Sequence, residues 1–106
     1  MKKKYKKPKK TKEHLMKHTK KRVLERYSFD LTDQVFHCYN KLIQSDDNRV
    51  FLLDIQSNTR KLYIIDDIYF IYNTKLKSIC TCITEEMYKR QQNWNGADLI
   101  DLSNEY

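Results

Sequence analysis

Apolar residues recur with two different periods along this chain of 106 residues, and the change of period divides it. Over residues 13–27, Leu15, Met16, Val23, Leu24 and Tyr27 fall mostly on one arc at about 100° per residue, which predicts an amphipathic helix. A second helix is predicted from near Thr32, a suitable N-cap with Asp33 in the first turn. Its apolar positions are Val35, Phe36, Tyr39, Leu42 and Ile43, and the polar cluster Ser45-Asp46-Asp47-Asn48 ends it. The texture then changes. Residues 49–56, 60–65, 67–73 and 77–84 are short and rich in Ile, Tyr, Phe and Leu. They are separated by Ser57-Asn58-Thr59, Asp66-Asp67 and Asn73-Thr74-Lys75, which reads as an antiparallel meander. Residues 85–92 form a short predicted helix, broken by Asn93-Trp94-Asn95-Gly96. The tail over residues 97–102 is expected to dock weakly, with Trp94 as its anchor.

Helices followed by strands indicate the α+β class: two N-terminal helices on one face of a four-stranded antiparallel sheet, with a short C-terminal helix. The other face is expected to be open and to suit binding. Three segments follow: a basic tail at 1–12, an α+β domain at 13–84, and a C-terminal helix with an acidic tail at 85–106.

Charge sharpens this outline. The net charge is +7 and the pI about 9.3. The first twelve residues hold eight lysines, the only proline (Pro8) and no acid, while the chain from Asp98 to Tyr106 is acidic. Blocks of like charge usually stay unstructured and act as interaction arms, and a basic one points to nucleic acid. Lys3, Lys4, Lys6, Lys7, Lys9 and Lys10 are the candidate contacts there. No apolar run approaches the roughly 18 residues of a membrane span, and no apolar stretch follows the basic start as a secretory signal requires. Three cysteines, Cys38, Cys80 and Cys82, suggest free thiols in a reducing cytoplasm. Cys80 and Cys82 are one residue apart, closer than structural zinc pairs usually stand. Even with His37 and Cys38 nearby, small buried thiols are expected rather than a metal, and no cofactor is implied.

The first helix also carries candidate chemistry. His14, His18, Arg22 and Arg26 succeed one another at steps of four, and residues four apart are helix neighbours. Histidine suits proton transfer because its pKa lies near neutrality; arginine suits phosphate because it is always charged and donates in a fork. His18 is thus a candidate general acid or base, with His14 the weaker one; the plain alternative is a surface histidine in a lysine-rich helix. Arg22 and Arg26 are candidates to hold a phosphate; the alternative is a solvated basic face paired with Glu25. On the strands, Arg60 and Lys61 supply cations and Tyr63, Tyr69 and Tyr72 supply rings on which bases stack. Thr81 is either a hydrogen-bond donor or an ordinary β residue.

The pattern His18-x3-Arg22-x2-Glu25-Arg26-Tyr27, then Leu31-Thr32, a helix, and a meander closing on Ile79-Cys80-Thr81-Cys82-Ile83 resembles small phage- and toxin-associated domains of the barnase–EndoU–colicin–RelE superfamily. The likeness covers residues 13–84 and extends to Tyr72-Asn73 at the end of a strand and Thr81 between aliphatic residues. It departs at Ser28-Phe29, where relatives often have a small turn residue, and in having no histidine on the strands. The resemblance implies an RNA-binding domain that cleaves RNA without metal, by attack of the 2′-hydroxyl, with His18, Arg22, Arg26 and Thr81 in the catalytic roles. It also implies a protein partner such as an antitoxin, no membrane, and a place in the cytoplasm of a bacterium or phage-infected host, or in a virus particle. Composition alone implies instead a non-catalytic nucleic-acid-binding protein, or a phage structural or interaction protein with a lysine-rich arm.

Overall fold

The structure, a computed structural model, describes residues 12–93. The basic arm before them and the acidic segment after them, with Trp94, lie outside the described residues. The elements run α1 (Lys12–Tyr27), α2 (Asp33–Gln44), β1 (Phe51–Ile55), β2 (Arg60–Ile65), β3 (Ile68–Asn73), β4 (Ser78–Ile83) and α3 (Glu85–Asn93). The chain is therefore α+β, and the four strands lie in the order β1-β2-β3-β4, each antiparallel to the next.

Local chemistry accounts for the boundaries. The Thr32 hydroxyl accepts the Val35 amide at 3.2 Å and caps α2. Thr84 does the same for α3 by accepting the Met87 amide at 3.1 Å, ahead of Glu85 and Glu86 in a first turn that favours acids. Between β2 and β3 only Asp66 and Asp67 intervene, at φ 50° and 66°. Positive φ at both central residues is the requirement of a type I′ hairpin, which matches the twist of the strands. The Asp66 carboxylate also accepts the Tyr39 hydroxyl, tying the hairpin to α2.

Two apolar clusters sandwich the sheet. On one face Val23, Leu31, Phe36, Tyr39 and Ile43 from the helical half pack with Ile65, Ile68, Phe70, Tyr72, Ile79 and Cys82. Tyr39 meets Phe70 edge-to-face, with ring centroids 5.4 Å apart. On the other face Leu62, Ile71, Cys80 and Ile83 pack with Leu15 from α1 and with Met87 and Tyr88 from α3. The face expected to be open is thus occupied in part by α3. That helix is short, yet its apolar residues recur on the side that meets the sheet.

Strict alternation on β4 would set Ile79, Thr81 and Ile83 against Cys80 and Cys82, but the strand does not alternate strictly. The register shifts between Ile71 and Tyr72, whose partners are Thr81 and Ile79. Cys80 is the extra residue of a β-bulge, and a bulge resets which face each later side chain takes. Ile79 and Cys82 consequently join the α2 side, and Cys80 and Ile83 the α3 side. A buried backbone amide at such an irregularity needs a partner. Asn40 of α2 supplies it: its Oδ1 accepts the Ile79 amide at 2.8 Å and its Nδ2 donates to the Ser78 hydroxyl at 3.3 Å. Replacing Asn40 with Ala is expected to lower stability by about 1–3 kcal/mol, the cost of stranding a buried donor. Urea denaturation measures this, and an unchanged midpoint would refute the role given to Asn40.

Candidate nucleic-acid interface

α1 runs along β4, the edge strand of the sheet. Leu15, Thr19 and Val23, at steps of four, form its fully buried line. The sequence pattern had put Leu24 on the apolar arc, but Leu24 is 56 % exposed and Thr19 takes the inner position at 0 %. The packed face is therefore rotated from the expected one.

That rotation decides the fate of the His–Arg stripe. Four residues advance a helix by about 400°, so each step drifts about 40° around the axis. His14 begins the stripe exposed, and His18, Arg22 and Arg26 are half-buried. By Arg26 the stripe has reached the sheet, where the guanidinium donates to the Cys82 carbonyl at 2.6 Å. Arg22 donates to Glu25 at 2.7 Å, and this hydrogen bond holds the Glu25 carboxyl below its usual range. Thr81 is 0 % exposed, and its hydroxyl donates to the same Cys82 carbonyl at 3.5 Å. The stripe and Thr81 do converge, but on a backbone carbonyl inside the protein. A phosphate would reach Thr81 only by separating α1 from β4.

Tyr27 completes this junction. Its hydroxyl donates to the Ile83 carbonyl and accepts the Tyr69 amide at 3.1 Å. Tyr69 and Ile83 are partners in the β3–β4 register, so Tyr27 takes the place of a ladder rung. Burial pushes the Tyr27 hydroxyl up to about 12.

The strand candidates form a separate region. Arg60 and Lys61 are half-buried on β2, two strands away from β4 and hence about 10 Å from it. Tyr72 is buried, edge-on to Tyr63 at 6.1 Å, and its hydroxyl accepts Gln44 Nε2 at 3.3 Å. Tyr63 is half-buried, and burial raises its hydroxyl pKa. Tyr69 is half-buried against Tyr88 at 6.1 Å. The rings assigned to base stacking are thus buried or half-buried, each in contact with another tyrosine.

The cations that do face solvent include three that the sequence reading left out. Lys17 and Lys21 are exposed on the side of α1 opposite Leu15, Thr19 and Val23, and Lys20 flanks them while bonded to Asp33. Placing the apolar arc by Thr19 rather than Leu24 would have found them. The whole chain shares this polarity. Residues 1–27 hold thirteen basic and two acidic residues, against eight basic and twelve acidic in residues 28–106. All of the positive excess therefore lies in α1 and the arm that leads into it.

Cys80 and Cys82 are buried as expected, but Cys38 is exposed on the outer side of α2. Among the described residues no group of three or more His, Cys, Asp or Glu is placed to hold a metal ion. No described helix is long and apolar enough to cross a membrane. No family model, curated protein or solved structure matches the chain.

Two outcomes are expected. The Thr19 hydroxyl has no hydrogen-bond partner among the described residues, although it is buried. Thr19→Val should therefore be neutral or stabilising by up to about 1 kcal/mol in urea denaturation; a clear loss would show that the hydroxyl is needed. Tyr27 ionises near pH 10 when unfolded and near 12 when folded, so its contribution is complete below pH 10 and is lost as pH rises from about 10 to 12. Tyr27→Phe should reduce stability at pH 7 and flatten that alkaline decline. An unaltered decline in thermal melts across this range would contradict the assignment.

Proposed function

We propose that the chain is a nucleic-acid-binding domain that engages phosphates through the outer face of α1 and the lysine arm leading into it. The observation that carries this reading is the charge split, with the excess gathered in residues 1–27, the arm and the one helix whose inner face is fixed to the sheet. Lys17 and Lys21 then project to solvent one helical turn apart, and seven more lysines precede α1 in the sequence. Such contacts gain affinity by releasing counterions and are largely indifferent to sequence. RNA is the favoured ligand, on the resemblance of the His18–Tyr27 segment and the meander to the ribonuclease superfamily.

Binding without cleavage is the better-supported role. Arg26 is committed to the Cys82 carbonyl, and Thr81 is buried beside it. What would favour cleavage is His18, half-buried on the same helix between the exposed and packed faces.

Fluorescence anisotropy with a labelled single-stranded RNA tests the proposal. Affinity should fall steeply with salt, at about 0.7 in log–log slope for each phosphate neutralised. Removing residues 1–11, with their seven lysines, should reduce the slope by up to about 5. Lys17→Ala with Lys21→Ala should reduce it by a further 1.4 or so and weaken binding about tenfold, whereas Lys61→Ala should change little. Affinity independent of salt, or insensitive to Lys17 and Lys21, would refute the interface. Incubation in EDTA should leave the RNA intact; cleavage that disappears in His18→Ala would instead establish the nuclease role.

A further inference from the structure

The two edges of the sheet are treated differently. α1 and its hydrogen bonds cover β4, whereas β1 forms the opposite edge, with β2 as its only neighbouring strand among the described residues. Edge strands are ordinarily guarded by charges, proline, shortness or bulges, because their outward amides and carbonyls accept another strand. β1 carries one charge, Asp54, and exposes Phe51 at 60 %, Leu52 at 42 % and Ile55 at 62 %. Exposed apolar residues gathered on one edge mark an interaction surface.

We propose that β1 pairs antiparallel with β1 of a second copy of this chain, joining two sheets into one of eight strands. Three observations favour a second copy over another occupant. The first is register. Leu53 is a bulge residue, since Leu52 and Asp54 oppose consecutive residues Tyr63 and Leu62. The apolar run of the edge is therefore Phe51-Leu52-Leu53, regular over its first two residues and entering the bulge at Leu53. A two-fold axis at Leu52 sets Leu52 against Leu52 on the α2 side, and Phe51 against the partner's Leu53 on the α3 side. Opposed residues in an antiparallel pair share a face, and Phe51 and Leu53 both belong to the α3 side. The same three residues thus complete themselves, as a two-fold interface requires. The second is charge. The thirteen cations of residues 1–27 belong to α1 and the arm leading into it, and α1 lies at the far edge of the sheet. Joining through β1 thus keeps the two basic helices at opposite ends. A polyanion, by contrast, would find only Asp54 and apolar side chains on β1. The third is area. Five residues span about 17 Å, and three exposed side chains fall short of the roughly 800 Å² per partner of a standard stable interface. The pairing is therefore weak and concentration-dependent, a dimer that forms where local concentration is high, as when several copies gather on one polyanion.

Sedimentation equilibrium on the full chain without nucleic acid, from about 10 to 500 µM in moderate salt, should show a monomer–dimer equilibrium with dissociation in the micromolar-to-millimolar range expected of small interfaces. Leu52→Lys should make the protein monomeric throughout. Leu52 is exposed, so this change leaves the core intact, and a two-dimensional NMR spectrum checks that. In a Cys38→Ser background, Leu52→Cys should cross-link on oxidation at least ten times faster than Leu24→Cys, a comparably exposed apolar site on α1. A monomer over the whole range overturns the proposal, as does a dimer that persists in Leu52→Lys or equal cross-linking from both cysteines.

Discussion

The structure depends on how the backbone of β4 is satisfied. β4 is an edge strand with all six residues buried, a combination that leaves polar main-chain groups away from water unless something meets them. Helix side chains do so. Asn40 accepts the Ile79 amide, Arg26 donates to the Cys82 carbonyl, and Tyr27 stands between the Ile83 carbonyl and the Tyr69 amide. α1 and α2 are therefore fixed to the sheet by directional bonds as well as by apolar packing. The bulge at Cys80 belongs to the same arrangement, since it adjoins the Ile79 amide that Asn40 takes and divides β4 between the two clusters.

Much of the fold was legible in the sequence. Thr32 as a cap, Asp66-Asp67 as a two-residue turn and the shift from helical to strand periodicity are local signals, and each element formed where they placed it. The parts that were not legible depend on tertiary contacts. Nothing in Ile79-Cys80-Thr81-Cys82-Ile83 announces that one residue is extra, because a bulge is defined by the partner strand. The inner face of α1 was misjudged because Thr19, a polar residue, is buried while Leu24 is left in solvent. The short α3 gave no sign that it would cover the second face, since that depends on Met87 and Tyr88 finding Leu62 and Ile71.

The same geometry shapes the candidate site. A stripe repeating every four residues suggested one shared face, yet its drift around α1 turns Arg26 into a structural ligand of β4 while His14 stays in solvent. Residue types suited to phosphate chemistry, Arg26 and Thr81, both donate to the Cys82 carbonyl. Lys17 and Lys21, outside that stripe, are presented outward. The two sides of α1 thus differ along its length, one packed on the sheet and the other carrying exposed charge.

This division makes α1 the place where a ligand should register. The most direct test is a titration of the isotopically labelled protein with a short RNA, followed by amide chemical shifts. The account predicts that perturbations concentrate on α1 around Lys17, Lys20 and Lys21, with the amides of β2 and β3 near Lys61 and Tyr72 nearly still. Shifts centred on those strands with α1 unmoved, or no shifts at an RNA concentration that saturates other basic proteins, would contradict it.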